Sequence, residues 1–515
     1  MDPLFKAAAT ANVWIVPIVY ISHVRCFLQF GKQLASHGVT VTFFCTKEDA
    51  ERLGIHGPGN STVESWKRDG LDIRLKDFGV EGQELAEGVS DEGDKWCRAI
   101  NEQEEKFELI LKRELELGLP RPTCVISDLW CPGVHATAVK YNVPAWVFSS
   151  FSVGCTASIV YLYQLRSKGI LELPASHLDE GGEEFISLPG MPLMRIREID
   201  SPSSFVTSLI YPIGKRIGPT LQHAQVILFS TFQELETRPM IELKKLLQNA
   251  ATKENREAGE VYPIGPTFNI SSKGSAESPA ANGHEEGERD PSLKFLDTQA
   301  ESSVLFVAFG CNWNLPPKQM QEIALGLESS GQPFLCSFHP PIKTAEYPTD
   351  DIFDVLPVDC VERTKGQGLF VQGWVPQMEI LRHPATGGFL SHCGHNSYLE
   401  SVSMGVPVIT WPLYGDQFMN ARWIVDEIQA GVEVTKGWGT LDLVDRKELE
   451  TKVRALFQSE EGKTVRKNAL RTRELALQSG SENGSSYNNM KTIVARLKDM
   501  TAGRTTQSSN PISET

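Results

Sequence analysis

Short apolar segments alternate with amphipathic segments along two long blocks of this 515-residue chain. The alternation most constrains the fold, because near-continuous apolar strands separated by helices are typical of parallel sheets that are covered on both faces. In the first block we predict strands at 13–20, 39–45, 123–127, 145–149 and 226–230, with helices at 26–37, 134–141 and 232–247. In the second block we predict strands at 303–309, 333–338, 369–371, 387–391 and 406–410, with helices at 318–329, 396–404, 447–457 and 462–479.

The segment between the two blocks has a different composition. Residues 270–291 are rich in Ser, Gly and charge and have no apolar period, which predicts a flexible linker. The sequence therefore predicts an α/β protein with two facing Rossmann-like domains and a cleft between them. We place the N-terminal domain at 1–269 and the C-terminal domain at 292–482. A last helix at 483–500 is expected to pack back on the N-terminal domain, before a disordered tail at 501–515.

The net charge and the cysteine content restrict the possible binding partners and the compartment of the protein. A formal net charge of −15 disfavours binding to nucleic acids or anionic membranes. The ten Cys form no CxxC pair, which favours free thiols in a reducing compartment. We find no signal peptide, and no apolar run approaches the roughly 18 residues of a membrane span. We therefore expect a cytoplasmic protein without membrane insertion, and a monomer.

A small-residue strand end that opens directly into a helix is the most informative local pattern. It reads His392-Cys393-Gly394-His395-Asn396-Ser397, with Glu400 one turn further on. Asn396 or Ser397 could cap this helix. The unpaired N–H groups of the helix start form an anion site, to which His392, Asn396 and Ser397 can add donors while Gly394 permits close approach. From these residues alone, an ordinary capped helix remains an alternative.

The surrounding segment 374–417 resembles the donor-binding motif of the plant secondary-product UDP-glycosyltransferases. The resemblance runs without gaps through WVPQ, HP, GGF, HCG, NS, LES, GVP, WP and DQ, and landmarks such as PTCVISDLW and VYPIGPT extend it over nearly the whole chain. It implies the GT-B fold, a UDP-sugar co-substrate and no other cofactor. It also implies roles for the motif residues. Trp374 would stack on uracil, Gln377 would lie beside the uridine, and Glu400 would accept hydrogen bonds from the ribose hydroxyls. The diphosphate would be bound by His392, Asn396 and Ser397, and the sugar hydroxyls by Asp416 and Gln417.

A catalytic base is expected near the first strand. His23 follows that strand, and Asp128 ends another strand of the same domain, where it can orient the imidazole. The resemblance assigns the same roles to these two residues, and we therefore predict a direct displacement with inversion. No carboxylate pair with metal spacing accompanies the motif, so we expect no metal. A non-catalytic nucleotide-sugar-binding protein is the alternative. A nicotinamide-dependent oxidoreductase is disfavoured, because the glycine cluster at 54–59 has the wrong spacing.

Four positions depart from the family pattern: Ser22 replaces Gly, Cys26 replaces Pro, Cys311 replaces a phosphate-binding Ser, and His395 replaces a Trp near the donor sugar. We count Cys311 and His395 among the UDP-sugar-binding residues. Gln417 favours glucose as the donor sugar. Because His395 stands where the family has Trp, the identity of the sugar stays undecided. The acceptor implied by the resemblance is a small lipophilic secondary metabolite such as a flavonoid, phenolic or terpenoid. We expect it among the loops 79–96 and 150–200, which carry Trp96, Phe151, Tyr161, Tyr163 and Leu171.

Overall fold

The computed structural model describes residues 10–55, 61–79, 92–168, 185–195, 198, 205–270, 289–310, 314–434 and 443–508. Its first half contains a seven-stranded parallel sheet and a small antiparallel hairpin. The strands are β1 (Asn12–Val16), β2 (Thr40–Cys45), β3 (Ile73–Asp77), β4 (Cys124–Asp128), β5 (Ala145–Ser149), the hairpin strands β6 (Phe185–Ser187) and β7 (Leu193–Arg195), β8 (Val226–Phe229) and β9 (Glu260–Pro263). The order in the large sheet is β3-β2-β1-β4-β5-β8-β9.

The second half repeats this arrangement with six parallel strands. They are β10 (Val304–Ala308), β11 (Phe334–Phe338), β12 (Gly368–Gln372), β13 (Thr386–Ser391), β14 (Val408–Thr410) and β15 (Gly431–Glu433), in the order β12-β11-β10-β13-β14-β15. Both sheets reverse their strand order beside their first strand, as doubly wound sheets do, and ligands bind such sheets at the carboxyl ends of the strands. The predicted pair of Rossmann-like domains is confirmed.

Helices cover both faces of each sheet. In the first half they are Ile21–Ser36, Lys47–Arg52, Ser61–Arg68, Glu92–Glu116, Pro132–Lys140, Val153–Ser167, Phe205–His223 and Thr237–Lys253. In the second half they are Pro291–Asp297, Pro317–Ser330, Cys360–Arg363, Gln377–Arg382, His395–Met404, Gln417–Arg422, Arg446–Gln458, Glu460–Gly480 and Ser485–Ser508, with short 3-10 and π turns at Ile352–Asp354 and Trp423–Glu427. Successive residues of β1 show why the strands are apolar throughout. Val13 and Ile15 pack into one core cluster, while Trp14 and Val16 pack into another on the opposite face.

The last helix crosses to the first half of the molecule. Met490, Ile493, Val494 and Leu497 are buried in the same core cluster as Val13. This helix extends to Ser508, although the sequence predicted a disordered tail from 501, and residues 509–515 lie outside the described residues. The boundaries at 269, 291 and 482 stay predictions, since most of the linker also lies outside them. Among the described residues, no helix is long and apolar enough to cross a membrane.

Two element ends near the site differ from the sequence prediction. The first strand ends at Val16, before Pro17, and the helix that follows begins at Ile21 instead of residue 26. Proline lacks an N–H, so it cannot continue a central strand ladder. His23 therefore lies in the first turn of a helix, where its backbone is fixed, and not in a loop.

Candidate functional site

An open cavity of about 200 Å³ lies between the carboxyl ends of the two sheets. Both halves of the chain contribute to it. The lining residues from the first half are Tyr20, Ile21, Ser22, His23, Arg25, Trp130, Ser150, Phe151, Cys155 and Ile159. Those from the second half include Trp374, Gln377, His392, Gly394, His395, Asn396, Ser397, Glu400, Asp416 and Gln417. The cavity therefore brings His23 together with all the predicted donor-site residues that the structure describes. Cys311 lies outside the described residues.

His23 is held through one ring nitrogen. Its Nδ1 lies 2.8 Å from Oδ2 of Asp128 and 2.9 Å from Oγ of Ser150. Asp128 is fully buried and also accepts backbone N–H groups from Ile18 at 3.2 Å and Trp130 at 3.0 Å. An ionised carboxylate only accepts hydrogen bonds, so Nδ1 of His23 carries the proton. Nε2 is then the basic nitrogen, and within the described residues it has no hydrogen-bond partner.

Aromatic rings surround His23 on the first-half side. The ring of Tyr20 lies 5.7 Å from the imidazole and that of Phe151 lies 5.4 Å from it, both edge-on. Trp130 packs against Phe151 at 5.3 Å. This wall suits a lipophilic molecule next to the base.

Only some of the residues predicted to bind the acceptor line the cavity. Phe151 lines the cavity, whereas Tyr161 and Tyr163, on the Val153–Ser167 helix, are not among its lining residues. The side chain of Trp96 and the whole of Leu171 lie outside the described residues. Sequence reasoning missed Tyr20, Trp130 and Ser150. Their position just after the ends of β1, β4 and β5 is the signal that could have found them, because the carboxyl ends of parallel strands meet at one edge of the sheet.

The second-half side of the cavity begins at the His395–Met404 helix. Gly394 precedes this helix, and no side chain caps it. The predicted cap was wrong, because Asn396 and Ser397 already lie inside the first turn. Asn396 donates its Nδ2 to the carbonyl oxygen of Ser22 at 2.9 Å, across the cleft, and Ser397 accepts a hydrogen bond from Gln377 at 3.1 Å. The uncapped N-terminus is suited to binding an anion such as a diphosphate.

His392 lies between two glycines at this helix start. A Cβ atom built on Gly310 or on Gly394 would lie 2.6 Å from its Nε2, so both positions need glycine, and Gly310 also has a φ of 78°. Burial lowers the pKa of His392 to about 4. Its buried Nδ1 has no hydrogen-bond partner in the described structure. His392 is therefore a neutral hydrogen-bonding group near neutral pH.

Trp374 and Glu400 both line the cavity. Trp374 is 37% exposed, and Cζ of Arg25 lies 4.7 Å from the centroid of its ring. Glu400 is buried and accepts a 2.6 Å hydrogen bond from Nε2 of Gln377. Burial raises the pKa of Glu400, while the Gln377 hydrogen bond and the charge of Arg25 act in the opposite direction. An exposed flat ring beside a hydrogen-bonded carboxylate can bind a base and its ribose.

Asp416 and Gln417 also line the cavity, and Asp416 accepts a hydrogen bond from the backbone of His395. Burial raises the pKa of Asp416 to about 6, and the carboxylate accepts a 2.7 Å hydrogen bond from Asn420. Oε1 of Gln417 accepts the backbone N–H groups of Leu413 and Tyr414, and its Nε2 has no hydrogen-bond partner within the described residues.

His395 spans the two halves of the molecule. Its Nε2 lies 3.0 Å from the carbonyl oxygen of Ser230, on the first-half side, and donates a hydrogen bond to it. Burial lowers the pKa of His395 to about 4, so the ring is neutral. The neutral imidazole thus occupies a hydrogen-bonded position between the halves as well as lining the cavity.

Known proteins share both the sequence and the architecture. Residues 269–473 match the model of the family described as UDP-glucoronosyl and UDP-glucosyl transferase. UDP-glycosyltransferase 73C2 of Arabidopsis thaliana is 31% identical, over 94% of this chain and 95% of that protein. The structure of a ugt transferase from Siraitia grosvenorii in complex with UDP is 27% identical, with a TM-score of 0.73 over 95% of this chain and 100% of that one.

A further solved structure, Phytolacca americana UGT2 complexed with UDP-2fluoro-glucose and pterostilbene, is 25% identical. Its TM-score is 0.74, over 95% of this chain and 99% of that one. These similarities span both sheets, and the architecture that they share with this chain is the GT-B fold. The chain belongs to the family of plant UDP-glycosyltransferases.

Proposed function

We propose that this protein transfers glucose, with inversion, from UDP-glucose to a hydroxyl group of a small lipophilic secondary metabolite. The observation that carries the proposal is the oriented imidazole of His23, which faces the same cavity as the donor motif. A non-catalytic nucleotide-sugar-binding protein would need the donor motif but not a base held by a buried carboxylate.

The proposed reaction is a single displacement. Nε2 of His23 takes the proton of the acceptor hydroxyl as its oxygen attacks the anomeric carbon, and the bond from that carbon to the diphosphate breaks. Asp128 stabilises the imidazolium that forms. UDP leaves with the electron pair, and the N-terminus of the His395–Met404 helix stabilises its charge. Since this helix already stabilises the leaving group, we propose that the step needs no metal.

The two substrates are proposed on different grounds. For the donor, Asp416 supplies an acceptor and Gln417 a free donor for sugar hydroxyls, and the Phytolacca structure holds UDP-2fluoro-glucose. For the acceptor, the aromatic wall of Tyr20, Trp130 and Phe151 favours a flat or polycyclic molecule, and the same structure holds pterostilbene. Phenolics, flavonoids and terpenoids fit this description.

The test is a transfer assay with the purified full chain. UDP-glucose, UDP-galactose and UDP-xylose are each offered with phenolic, flavonoid and terpenoid acceptors, with and without EDTA. We expect an EDTA-resistant product from UDP-glucose whose anomeric proton coupling shows a β linkage. His23→Ala should abolish transfer, whereas His37→Ala, directly after the end of the same helix and outside the cavity, should leave it unchanged. Undiminished transfer by His23→Ala would refute the mechanism, and an α-linked product would refute inversion.

A further inference from the structure

Arg25 places a positive charge in the donor cavity, and no ion pair within the described residues engages it. It lies two residues after His23 on the Ile21–Ser36 helix, is partly buried, and lines the cavity. Its guanidinium lies over Trp374, at 4.7 Å from the ring centroid. No carboxylate of the described structure forms an ion pair with it. A partly buried guanidinium without a carboxylate is ready to bind an anion, since its donors match phosphate oxygens in pairs.

The other charged groups that line the cavity are acidic, so the positive charge of Arg25 matters for the binding of an anion. The cavity lining includes the carboxylates of Glu400 and Asp416, and Arg25 is the only Lys or Arg among the lining residues that the structure describes. His392, whose pKa burial lowers to about 4, contributes no positive charge near neutral pH. A doubly charged diphosphate would enter this acidic cavity with only neutral donors and the helix N-terminus to receive it. A guanidinium on the same cavity wall offsets that repulsion.

Geometry shows how Arg25 can reach a diphosphate. Optimal carbon contacts are about 3.5 Å, so a base sandwiched between the indole and the guanidinium would need about 7 Å, and the 4.7 Å contact leaves no room for it. A base that stacks on this face of Trp374 must therefore displace Arg25. The hydrogen bond from Asn396 to Ser22 shows that the anion-binding helix start lies against the first turn of the Arg25 helix. The helix that carries Arg25 is therefore a direct neighbour of the anion-binding helix start.

We propose that Arg25 is a donor-binding residue, contributed by the first domain, whose guanidinium leaves Trp374 and pairs with the diphosphate of the bound UDP-sugar. This inference rests on the proposed function, because it takes a UDP-sugar as the donor. Arg25 thereby supplies the charge that the neutral donors of the motif lack, and it couples donor binding to the position of the helix that carries His23.

The test compares the binding of UDP and of uridine by calorimetry. The full-length wild type is measured beside Arg25→Gln, Arg25→Lys and Lys32→Gln. Lys32 is the matched control, because it lies on the same helix and contacts a different ring, that of Trp66, at 5.5 Å. We expect Arg25→Gln to lower the affinity for UDP roughly tenfold or more, which is the effect of losing one charge-assisted hydrogen bond. Uridine affinity should change little, Arg25→Lys should recover part of the UDP affinity, and Lys32→Gln should behave as the wild type. The salt dependence of UDP binding should also decrease in Arg25→Gln.

Each other outcome contradicts a distinct part of the proposal. If Arg25→Gln weakens the binding of UDP and of uridine equally, Arg25 contacts the nucleoside and not the diphosphate. Tighter binding of both would make Arg25 a mere obstacle on Trp374, and unchanged binding of both would remove any role in donor binding. Wild-type protein that fails to bind UDP would instead overturn the proposed function, and this inference with it.

Discussion

Oγ of Ser150 lies 2.9 Å from Nδ1 of His23, beside the 2.8 Å contact between that nitrogen and Asp128. One N–H group therefore has two acceptors, one charged and one neutral. The carboxylate is fixed by two backbone N–H groups, while the hydroxyl follows the end of β5. We expect the two acceptors to contribute very differently to the rate, because charge-assisted hydrogen bonds are about twice as strong as neutral ones.

Replacing Asp128 by Asn should remove the basic nitrogen. An amide can donate to Nδ1, which would place the ring proton on Nε2, where the acceptor hydroxyl needs a base. We expect Asp128→Asn to lower kcat roughly 10³-fold. UDP affinity should stay within about twofold, since Asp128 does not line the donor cavity. Steady-state kinetics and calorimetry measure the two effects, and a kcat within tenfold of the wild type would argue that Asp128 does not select the tautomer.

Replacing Ser150 by Ala should have a smaller effect. It removes one neutral acceptor, worth about 1 kcal/mol, so we expect kcat to fall roughly fivefold with the donor KM unchanged. Ser150→Thr keeps the hydroxyl and should restore most of the rate. Ser158→Ala is the control, because the buried hydroxyl of Ser158 has no hydrogen-bond partner in the described structure. A loss in Ser150→Ala that appears in KM instead of kcat would show that Ser150 acts on substrate binding and does not position the base.

Much of the fold and part of this site could be predicted from sequence. The apolar runs located most strands, because buried parallel strands are apolar throughout. The meeting of His23 and Asp128 followed from their positions near the carboxyl ends of β1 and β4, which are neighbours in the sheet. The weakly patterned strands were missed. Only one residue of β3 is buried, and β15 has only three residues, so neither produces a clear apolar period.

Contacts between the two halves could not be predicted. His395 was expected at the donor sugar, and the structure also joins it to Ser230, 165 positions earlier in the chain. Asn396 was expected to cap a helix or bind phosphate, and in the structure it donates to Ser22. Such contacts depend on how two finished domains meet, and no local pattern of residues encodes that geometry.

A buried ion pair between the halves is expected to stabilise their contact. Arg422 donates to Glu198, whose side chain is fully buried, at distances down to 2.7 Å, and to Glu433 on β15 at 2.7 Å. Arg422→Met would leave the buried carboxylate of Glu198 with Arg195 as its remaining cationic partner, at 3.2 Å. Loss of one partner of a buried ion pair typically costs about 3–5 kcal/mol, and we expect a cost toward the lower end of that range. We expect a clear fall in the urea midpoint of unfolding. Arg238→Gln, which breaks the more exposed contact with Glu427, should cost about 1 kcal/mol or less. Equal shifts for both variants would contradict this assignment.

The affinity for the donor sugar should depend on pH through Asp416. Burial raises the pKa of this carboxyl to about 6, so it gains a proton as the pH falls through about 6 and then accepts sugar hydroxyls less well. We expect the donor KM to rise below that pH. His392 and His395, whose pKa values are lowered to about 4 by burial, stay neutral throughout this range. Asp416→Asn should have a high donor KM that is flat with pH, and the same rise in that variant would assign the effect to another group.

Glu400 should recognise the ribose of the nucleotide. It is buried, lines the same cavity as Trp374, and is oriented by the 2.6 Å hydrogen bond from Gln377. A carboxylate held in this way can accept from both ribose hydroxyls. We expect the wild type to bind UDP roughly tenfold more tightly than 2′-deoxy-UDP, and Glu400→Ala to remove most of that preference by weakening UDP. Glu379→Ala, on the Gln377–Arg382 helix but outside the cavity lining, should keep the preference. Calorimetry with the two nucleotides decides the point, because equal losses for both in Glu400→Ala would assign Glu400 to packing and not to ribose recognition.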